Sequence, residues 1–252
     1  MKALATQYSK DFCRHLSYFP AWQPGDPISP GEIGRLKKGV FYPEGPLTSI
    51  FPNLDYKIGK KDGTTSMAFY SDSGISVSGD VSGAHPVGVK GKVRISFTRT
   101  GGVVFHAQKM ELRYIENLNP LLKEITDRRK EWPKGYVLVS HVESADRYVV
   151  LISSSASWEV GLSGKASALA ALQIADASVS VATVKGAGYE RSGRGPVALR
   201  IYGLKVLGKR PRLLSADEPI PDGLAPGELG FEEISPFDPA LDLYPEMKIE
   251  PD

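Results

Sequence analysis

The sequence predicts an α+β fold, in which a twisted, mainly antiparallel β-sheet with a few helices precedes an acidic C-terminal tail. Residues 89–99 and 157–163 alternate apolar and polar side chains, which is typical of half-buried strands. Residues 3–17 repeat apolar side chains at helical spacing. Residues 213–252 contain eleven acids and one base, so the end of the chain differs in charge from the part before it.

The length and the cysteine content limit the organisation of the protein. The 252 residues suffice for one basic body, residues 1–207, and a Pro-rich tail, residues 208–252. Cys13 is the single cysteine, which excludes an internal disulfide and fits a reducing compartment. No signal peptide is recognisable, and no apolar run approaches the ~20 residues of a membrane helix. We therefore expect a cytoplasmic protein.

The formal net charge of +2 is the sum of two unequal parts. Residues 1–212 carry +12 and residues 213–252 carry −10. This asymmetry indicates an anionic partner for the basic part and a tail that competes with that partner. The alternative is an acidic tail that only keeps the protein soluble.

Two amphipathic helices are predicted, one over residues 3–17 and one after Asn119-Pro120, where the asparagine is the cap and the proline the first helical residue. Their inward faces consist of Tyr8, Phe12 and Leu16 in the first helix and Leu121, Leu122 and Ile125 in the second. A further short helix is predicted from Pro30 to Lys38, because Ser29-Pro30-Gly31-Glu32 has the pattern of a capping box and Gly39 follows.

Most of the remaining body is predicted as strands. Residues 65–110 predict consecutive antiparallel strands with turns at Asp72-Ser73-Gly74 and Gly101-Gly102. Residues 135–144 and 146–155 predict two buried strands around a turn at Ser144-Ala145-Asp146. A last strand is predicted over residues 196–207.

Residues 164–190 are unusually rich in Ala, Ser, Gly and Val. Within them we predict a short helix over residues 166–175 and a returning strand over residues 178–185. Small side chains bury little apolar area, so the packing of this segment is easily given up.

Two pairs of segments have the pattern of β-hairpins able to enter a membrane: residues 157–165 with 176–185, and residues 75–83 with 89–99. A membrane-spanning strand needs about 9–11 residues with one apolar and one polar face. The candidate inserting residues are Val77, Val81, Val93, Ile95, Phe97, Trp158, Val160, Leu162, Val179 and Val181. The alternative is an ordinary sheet edge with a Gly/Ala-rich connection.

Four clusters of basic residues indicate a surface for nucleic acid or anionic lipid. The candidate lipid-binding residues are Arg35, Lys37, Lys38, Lys90, Lys92, Arg94, Arg128 and Arg129. No known nucleic-acid-binding motif is present, so we expect no nucleic-acid partner. A plain solvated strand face is the alternative for the Lys90, Lys92 and Arg94 side chains.

No catalytic or metal-binding motif is recognisable. The four histidines, His15, His85, His106 and His141, are not at metal-ligand spacing. Cys13 lies on a predicted helix and is better explained by packing than by nucleophilic chemistry. Gly164-Lys165 lacks the other residues of a phosphate-binding loop. We therefore expect a protein that is not an enzyme and needs no cofactor or metal; an enzyme with an unrecognised site is the least supported alternative.

The acidic tail contains more apolar residues than a solvated tail needs. We expect it to dock on the body with its apolar groups facing inward. The candidate docking residues are Phe231, Ile234, Phe237, Leu241, Leu243 and Tyr244.

The order of these elements resembles the pore-forming domain of bacterial gasdermins. The resemblance is carried by an N-terminal helix, hairpins over residues 65–110, the helix after Asn119-Pro120, the run GYVLVSHVESADRYVVLI, the small-residue segment and the strand PVALRIYGLKVL. It covers most of residues 1–207 as a pattern of elements. Bacterial members often carry a lipidated cysteine near the N-terminus, whereas Cys13 lies inside the first predicted helix.

The resemblance implies a membrane-permeabilising effector that acts in antiphage defence and is held inactive by its tail. It implies an activating protease that removes the tail, an anionic lipid membrane as the target, a homo-oligomeric pore, and movement from the cytoplasm to the inner face of the membrane. The alternative from another class is a β-rich binding or assembly protein, not an enzyme, whose acidic tail contacts a basic partner surface.

Overall fold

The structure is a computed structural model that describes residues 2–79, 90–165, 168, 171–206, 212–213 and 229–236. It confirms the predicted α+β class: within these residues two α-helices accompany fourteen strands that pair mainly antiparallel. The helices are α1 (Lys2–Leu16) and α2 (Leu118–Asp127), with short 3-10 helices at Leu47–Ser49 and Arg129–Glu131. The strands are β1 (Phe19–Pro20), β2 (Glu32–Lys37), β3 (Val40–Pro46), β4 (Ile58–Asp62), β5 (Ser66–Tyr70), β6 (Ile75–Gly79), β7 (Lys90–Phe97), β8 (Val103–Ile115), β9 (Tyr136–Ser153), β10 (Glu159–Lys165), β11 (Ser180–Lys185), β12 (Gly188–Val206), β13 (Arg212–Leu213) and β14 (Leu229–Glu233).

The chain divides into two compact units, each built from three segments. Unit 1 consists of Met1–Asp11, Gly63–Met110 and Ala145–Gly195, and unit 2 consists of Phe12–Asp62, Glu111–Ser144 and Pro196–Asp252. Helix α1 and strands β8, β9 and β12 contribute residues to both units. The division into a body and a tail at residue 207 stays a prediction.

Unit 1 contains two antiparallel sheets with a shared apolar core. One has the strand order β11-β10-β7-β6, and β5 pairs with β8 in the other. The core brings Ile95 of β7 together with Val104 of β8 and Leu151 of β9. On the opposite face of β8, Tyr8 of α1 packs on Phe105, with ring centroids 6.4 Å apart. Strand β8 therefore lies between the helix and the core, because its successive side chains alternate in direction.

Unit 2 is organised around strands in the order β1-β12-β9-β2-β3, with β13 and β14 also paired to β12. Helix α2 contributes to one of its apolar cores, in which Leu121 and Ile125 pack with Trp132 and Phe51. Trp132 and Phe51 are stacked, with ring centroids 6.3 Å apart.

Both predicted amphipathic helices are present, with the predicted faces inward. Tyr8 and Phe12 are completely buried and Leu16 is half-buried, while Leu121, Leu122 and Ile125 are buried in α2. The cap of α2 was predicted two residues late, because the N-cap is Asn117. The side chain of Asn117 is engaged elsewhere: it accepts the N–H of Lys57 and donates to the carbonyl of Asp55.

The predicted helix from Pro30 to Lys38 is wrong, because this segment is strand β2, paired with β3 and β9. Gly31 has φ +91° and donates its N–H to the carbonyl of Val139 in β9. The residues of the predicted capping box are therefore bonded to a neighbouring strand and begin no helix. A local capping pattern loses to sheet pairing when both neighbours of the segment are strands. Gly39 ends no helix and instead completes the tight turn between β2 and β3.

The predicted turn at Ser144-Ala145-Asp146 is wrong, because β9 continues from Tyr136 to Ser153 as one strand of 18 residues. Ala145 is buried within it. Ser and Asp favour turns, but without Gly or Pro they do not require one.

Three further predictions need adjustment. Residues 171–175 form turns and no helix, and the rest of the predicted 166–175 helix lies outside the described residues except for Ala168, which is helical. Strands β5 and β6 are consecutive in the 65–110 region as expected, but they belong to different sheets. The last strand begins at Gly188, earlier than predicted.

Candidate functional site

Both predicted hairpins are present and pair with each other in one sheet of unit 1. Strand β6 pairs with β7, and β10 pairs with β11. Strand β7 also pairs with β10, over seven positions from Ser96↔Glu159 to Lys90↔Lys165. We call these four strands the hairpin sheet. Its two halves come from residues 75–97 and 159–185, so the pairing joins segments that lie far apart along the chain.

One face of the hairpin sheet is buried and apolar. Directly opposed residues of an antiparallel pair lie on the same face, and Val93↔Leu162 and Ile95↔Val160 are such pairs. The side chains of these four residues are at most 4% exposed. The candidate inserting residues of β7 and β10, together with Trp158 and Val179, all lie in this core, and Val181 packs against it half-buried.

Val77 and Val81 are the two remaining candidate inserting residues. Val77 pairs with Ile95 and therefore belongs to the apolar face, but it is 44% exposed because β6 is an edge strand. Val81 lies outside the described residues.

The other face of the hairpin sheet carries small and charged side chains. Arg94 is paired with Glu159 at 3.4 Å. A depression of about 480 Å³ lies here, and its lining includes Ser78, Lys92, Arg94, Gly161, Ser163 and Ala182. In β7 and β10 the sheet therefore has one buried apolar face and one polar face, whereas most residues of the edge strands β6 and β11 are exposed.

Close packing explains two glycines of the small-residue segment, Gly164 and Gly188, a signal that the sequence interpretation missed. A Cβ atom at Gly188 would lie 2.3 Å from the ring of Trp158, and one at Gly164 would lie 2.4 Å from the carbonyl oxygen of Ser178. Trp158 in turn stacks on Phe97, with ring centroids 4.8 Å apart. The chain around the buried tryptophan therefore needs glycine where backbone approaches this closely.

In unit 2, strand β14 places part of the acidic tail on β12, and we call it the tail strand. It pairs antiparallel with residues 202–206 of β12. Phe231 is 9% exposed and meets Trp132 edge-on, with ring centroids 4.8 Å apart, and Ile234 just after the strand is 1% exposed. These two residues are docked as expected; Phe237, Leu241, Leu243 and Tyr244 lie outside the described residues.

Glu233 joins the tail strand to three polar groups of β12. Its carboxylate lies 3.4 Å from the guanidinium of Arg200 and accepts the hydroxyl of Tyr202 at 3.5 Å. Its carbonyl oxygen accepts a hydrogen bond from Nζ of the buried Lys205 at 3.3 Å. Neither Glu233 nor Lys205 was singled out from the sequence, because acids and bases occur throughout this region.

The candidate lipid-binding residues occur in both units. Lys92 and Arg94 lie on the polar face of the hairpin sheet in unit 1, and the side chain of Lys90 lies outside the described residues. In unit 2, Lys37 and Lys38 are exposed at the β2–β3 turn, and Arg129 is exposed after α2.

Arg35 and Arg128 already have partners within unit 2. Arg35 lies 3.0 Å from Glu44 and stacks over Tyr136. Arg128 lies 2.8 Å from Glu131 and over the ring of Phe51. Surface pairs of this kind are weak, so these charges remain accessible to an anionic surface.

Cys13 and His106 are buried, and His141 is half-buried. Burial raises the pKa of the Cys13 thiol, which keeps it protonated. His106 and His141 lie in strands β8 and β9 with pKa values lowered chiefly by burial. His85 lies outside the described residues. Within the part of the chain that the structure describes, no three His, Cys, Asp or Glu side chains are grouped to hold a metal ion.

A comparison with protein-family models finds no match to the chain. A comparison with curated proteins finds no significant match either. None of the helices in the described segments combines the length and apolar character needed to cross a bilayer.

Proposed function

We propose that the protein is a membrane-permeabilising, pore-forming effector that its C-terminal tail holds inactive. One observation carries the proposal: the two hairpin segments form a single sheet with one apolar and one polar face. A membrane-spanning strand needs apolar and polar side chains that alternate along the chain, so that the apolar side faces lipid and the polar side faces an aqueous lumen.

Insertion requires the hairpins to lengthen. The four strands have 5, 8, 7 and 6 residues, whereas a membrane-spanning strand needs about 9–11. The segments predicted from the sequence to insert, residues 75–83, 89–99, 157–165 and 176–185, have this length. The apolar face then exchanges the protein core for lipid without passing its side chains into water, which keeps the free-energy cost of the change low.

The edges of the hairpin sheet support the oligomerisation that the proposal includes. Among the described residues, strands β6 and β11 each have one neighbour within the sheet, so each presents a row of backbone groups with which a second copy can pair. Unpaired backbone groups are too costly inside a bilayer, and a closed ring of copies removes them.

The tail strand supplies the restraint. It covers an apolar core at Phe231 and occupies Arg200 and Lys205 through Glu233. Removing residues 213–252 also leaves the remaining chain with a net charge of +12. Each Lys or Arg near an anionic membrane contributes about 1 kcal/mol of attraction. An activating protease would therefore convert the cytoplasmic form into one that binds the inner face of an anionic membrane.

The proposal is tested by dye release from cardiolipin-rich liposomes. A protease site is inserted between Arg212 and Leu213, and the protein is assayed at nanomolar concentration before and after cutting. We expect release only after cutting, with little release from phosphatidylcholine liposomes. Cut protein that stays folded and soluble but releases no dye contradicts the proposal and favours the binding-protein alternative, which a pull-down with the intact tail would then examine.

A matched pair of variants tests insertion separately from binding. Val77→Arg places a charge on the apolar face at a position already exposed in the folded protein, and Ser78→Arg places the same charge on the polar face. A lipid-facing Arg costs about 2–4 kcal/mol per strand at mid-bilayer. We expect V77R to abolish dye release while liposome binding persists, and S78R to keep both. Equal release by the two variants contradicts insertion of this face.

A further inference from the structure

The chain between β10 and β11 is fastened to the core of unit 1. We call residues 171–179 the connecting segment. Ile174 and Ala175 are each 1% exposed and Val179 is 8% exposed, and all three belong to the core beneath the hairpin sheet. Backbone hydrogen bonds hold the segment: the N–H of Gln173 donates to the carbonyl of Ala168, just before the segment, at 2.8 Å, and the N–H of Val179 donates to the carbonyl of Asp176 at 3.0 Å.

Two hydrogen bonds attach the connecting segment to the other sheet of unit 1. The hydroxyl of Tyr70 on β5 donates to the carbonyl of Leu172 at 3.3 Å. The N–H of Ala175 donates to Nδ1 of His106 on β8 at 3.2 Å. His106 is 5% exposed, so the bond is shielded from water.

The bond to His106 exists only while the imidazole is neutral. A neutral ring accepts at one nitrogen, but both nitrogens of the charged ring carry protons and only donate. A proton on Nδ1 would face the N–H of Ala175 and leave that buried donor without its acceptor, a loss that costs free energy. The protonated state therefore disfavours the closed position of the connecting segment.

We propose that His106 is a proton-controlled latch: its protonation releases the connecting segment and frees the hairpin formed by β10 and β11. The inference rests on the proposed function for what the freed hairpin then does at a membrane. The release itself is a property of the folded protein in solution. The condition that opens the latch is acidification.

Burial and a nearby carboxylate shift the pKa of His106 in opposite directions. Burial lowers the pKa of His106, and the carboxylate of Asp176 in the connecting segment opposes this. Lys165 of β10 and Arg147 of β9 act in turn on Asp176, whose pKa is lowered chiefly by hydrogen bonds from Ser178. Burial raises the pKa of Tyr70 to about 12, so the second attachment does not titrate near neutrality.

Linkage gives the size of the effect. Once the segment opens, His106 meets water and its pKa returns toward about 6.5. Below that pH, His106 is protonated in the open state, whereas in the closed state it binds the proton more weakly. The ratio of open to closed molecules then rises by up to about tenfold for each pH unit, until the closed state is protonated as well.

Hydrogen–deuterium exchange of the full chain tests the latch. Labelling is compared at about pH 7.5 and pH 5, with labelling times rescaled for the pH dependence of intrinsic exchange. In peptides covering residues 173–185 we expect protection to fall about tenfold or more at the lower pH. Peptides from the β2–β3 hairpin of unit 2 provide the internal reference and should change little.

Three variants decide whether His106 is responsible. His106→Asn places an amide oxygen near the position of Nδ1 and cannot take up the proton, so protection should become independent of pH; His106→Gln serves if the first variant folds poorly. His141→Asn removes a histidine from unit 2 and should leave the effect intact. Unchanged protection in the native chain at low pH, or a pH effect that persists in both His106 variants, would overturn the latch. Dye release by cut protein is scored separately, so a failure of pore formation leaves this result readable.

Discussion

At the scale of single residues, the β2–β3 turn contains a strained position. Lys38 and Gly39 have φ values of +50° and +71°, which is the two-residue type I′ turn that hairpins prefer. Gly39 adopts this conformation freely, but a lysine does so at a cost because its Cβ approaches the following carbonyl. Asparagine is the side chain that best tolerates the first position.

Lys38→Asn should therefore stabilise the protein by about 0.5–1 kcal/mol. The measurement is the free energy of unfolding in urea. Lys37→Asn, one residue earlier and equally exposed but within β2, is the control and should be neutral or slightly destabilising. If both variants are more stable than the native protein, the cause is the loss of the positive charge, because Lys37→Asn relieves no backbone strain.

His141 is the residue with the clearest consequence for stability against pH. Burial, Arg200 and Lys61 lower its pKa to about 4. It stacks on Tyr114, with ring centroids 5.9 Å apart, and its Nδ1 lies 2.8 Å from the hydroxyl of Ser140. The folded protein therefore keeps this ring neutral at a pH where the unfolded chain protonates it.

Because the unfolded state takes up the extra proton, His141 makes the free energy of unfolding fall as the pH drops from about 6.5 toward about 4. His141→Asn should lower stability near neutrality but lack this part of the pH dependence. Urea unfolding at a series of pH values gives the comparison, and the gap between the two proteins should narrow toward pH 4. A difference in the free energy of unfolding that does not change with pH would show that His141 has the same pKa in the folded and unfolded states.

At the scale of elements, alternation predicted the strands well, and the turns at residues 72–74 and 101–102 lie between strands as predicted, but two other local signals were wrong. Val93, Ile95 and Phe97 form the buried face of β7 as expected, because period-two burial leaves a direct mark on the sequence. The capping box at residues 29–32 and the turn at residues 144–146 were misleading, since each reports a local preference that strand partners override. Which strands pair across the chain, as β7 does with β10, depends on contacts that no local pattern records.

Alanine substitutions at Gly164 and Gly161 test whether β10 needs glycine where the chain that follows it approaches closely. A Cβ at Gly164 meets backbone at 2.4 Å, whereas a Cβ at Gly161 meets the end of the exposed Val184 side chain at 3.1 Å. We expect Gly164→Ala to destabilise the protein by about 1–3 kcal/mol and Gly161→Ala by less than about 1 kcal/mol. Thermal unfolding of both variants provides the measurement, and the reverse order would contradict the described packing.

At the scale of the whole molecule, the sequence showed the charge division and the hairpin segments but not the contacts that hold the tail strand and the connecting segment in place. The docking of Phe231 and Ile234 was predicted from their apolar character. The pairing of the tail strand with β12 and the contacts of Glu233 were not, because a five-residue strand in a Pro-rich tail has no distinctive pattern. The attachment of the connecting segment to His106 was equally invisible, since it joins residues 69 positions apart.

The charge division leads to a prediction about liposome binding. After cutting at residue 212, the basic part carries +12 against +2 for the intact chain. Its binding to anionic liposomes should weaken about tenfold or more between low salt and about 0.5 M salt, because screening shortens the range of attraction. Sedimentation with liposomes measures this for cut and intact protein. Binding that does not change with salt would show that burial of apolar surface dominates.

The pairing of the tail strand with β12 has a kinetic consequence. Cutting the chain breaks a covalent link, but the backbone pairing at residues 202–206, the buried Phe231 and the contacts of Glu233 remain. Before the cut, the tail is present at an effective concentration in the millimolar range. Afterwards it rebinds only as a separate peptide at its bulk concentration. Under the proposed function, dye release should therefore begin only after a lag that follows cleavage, and the length of this lag is the lifetime of the nicked complex.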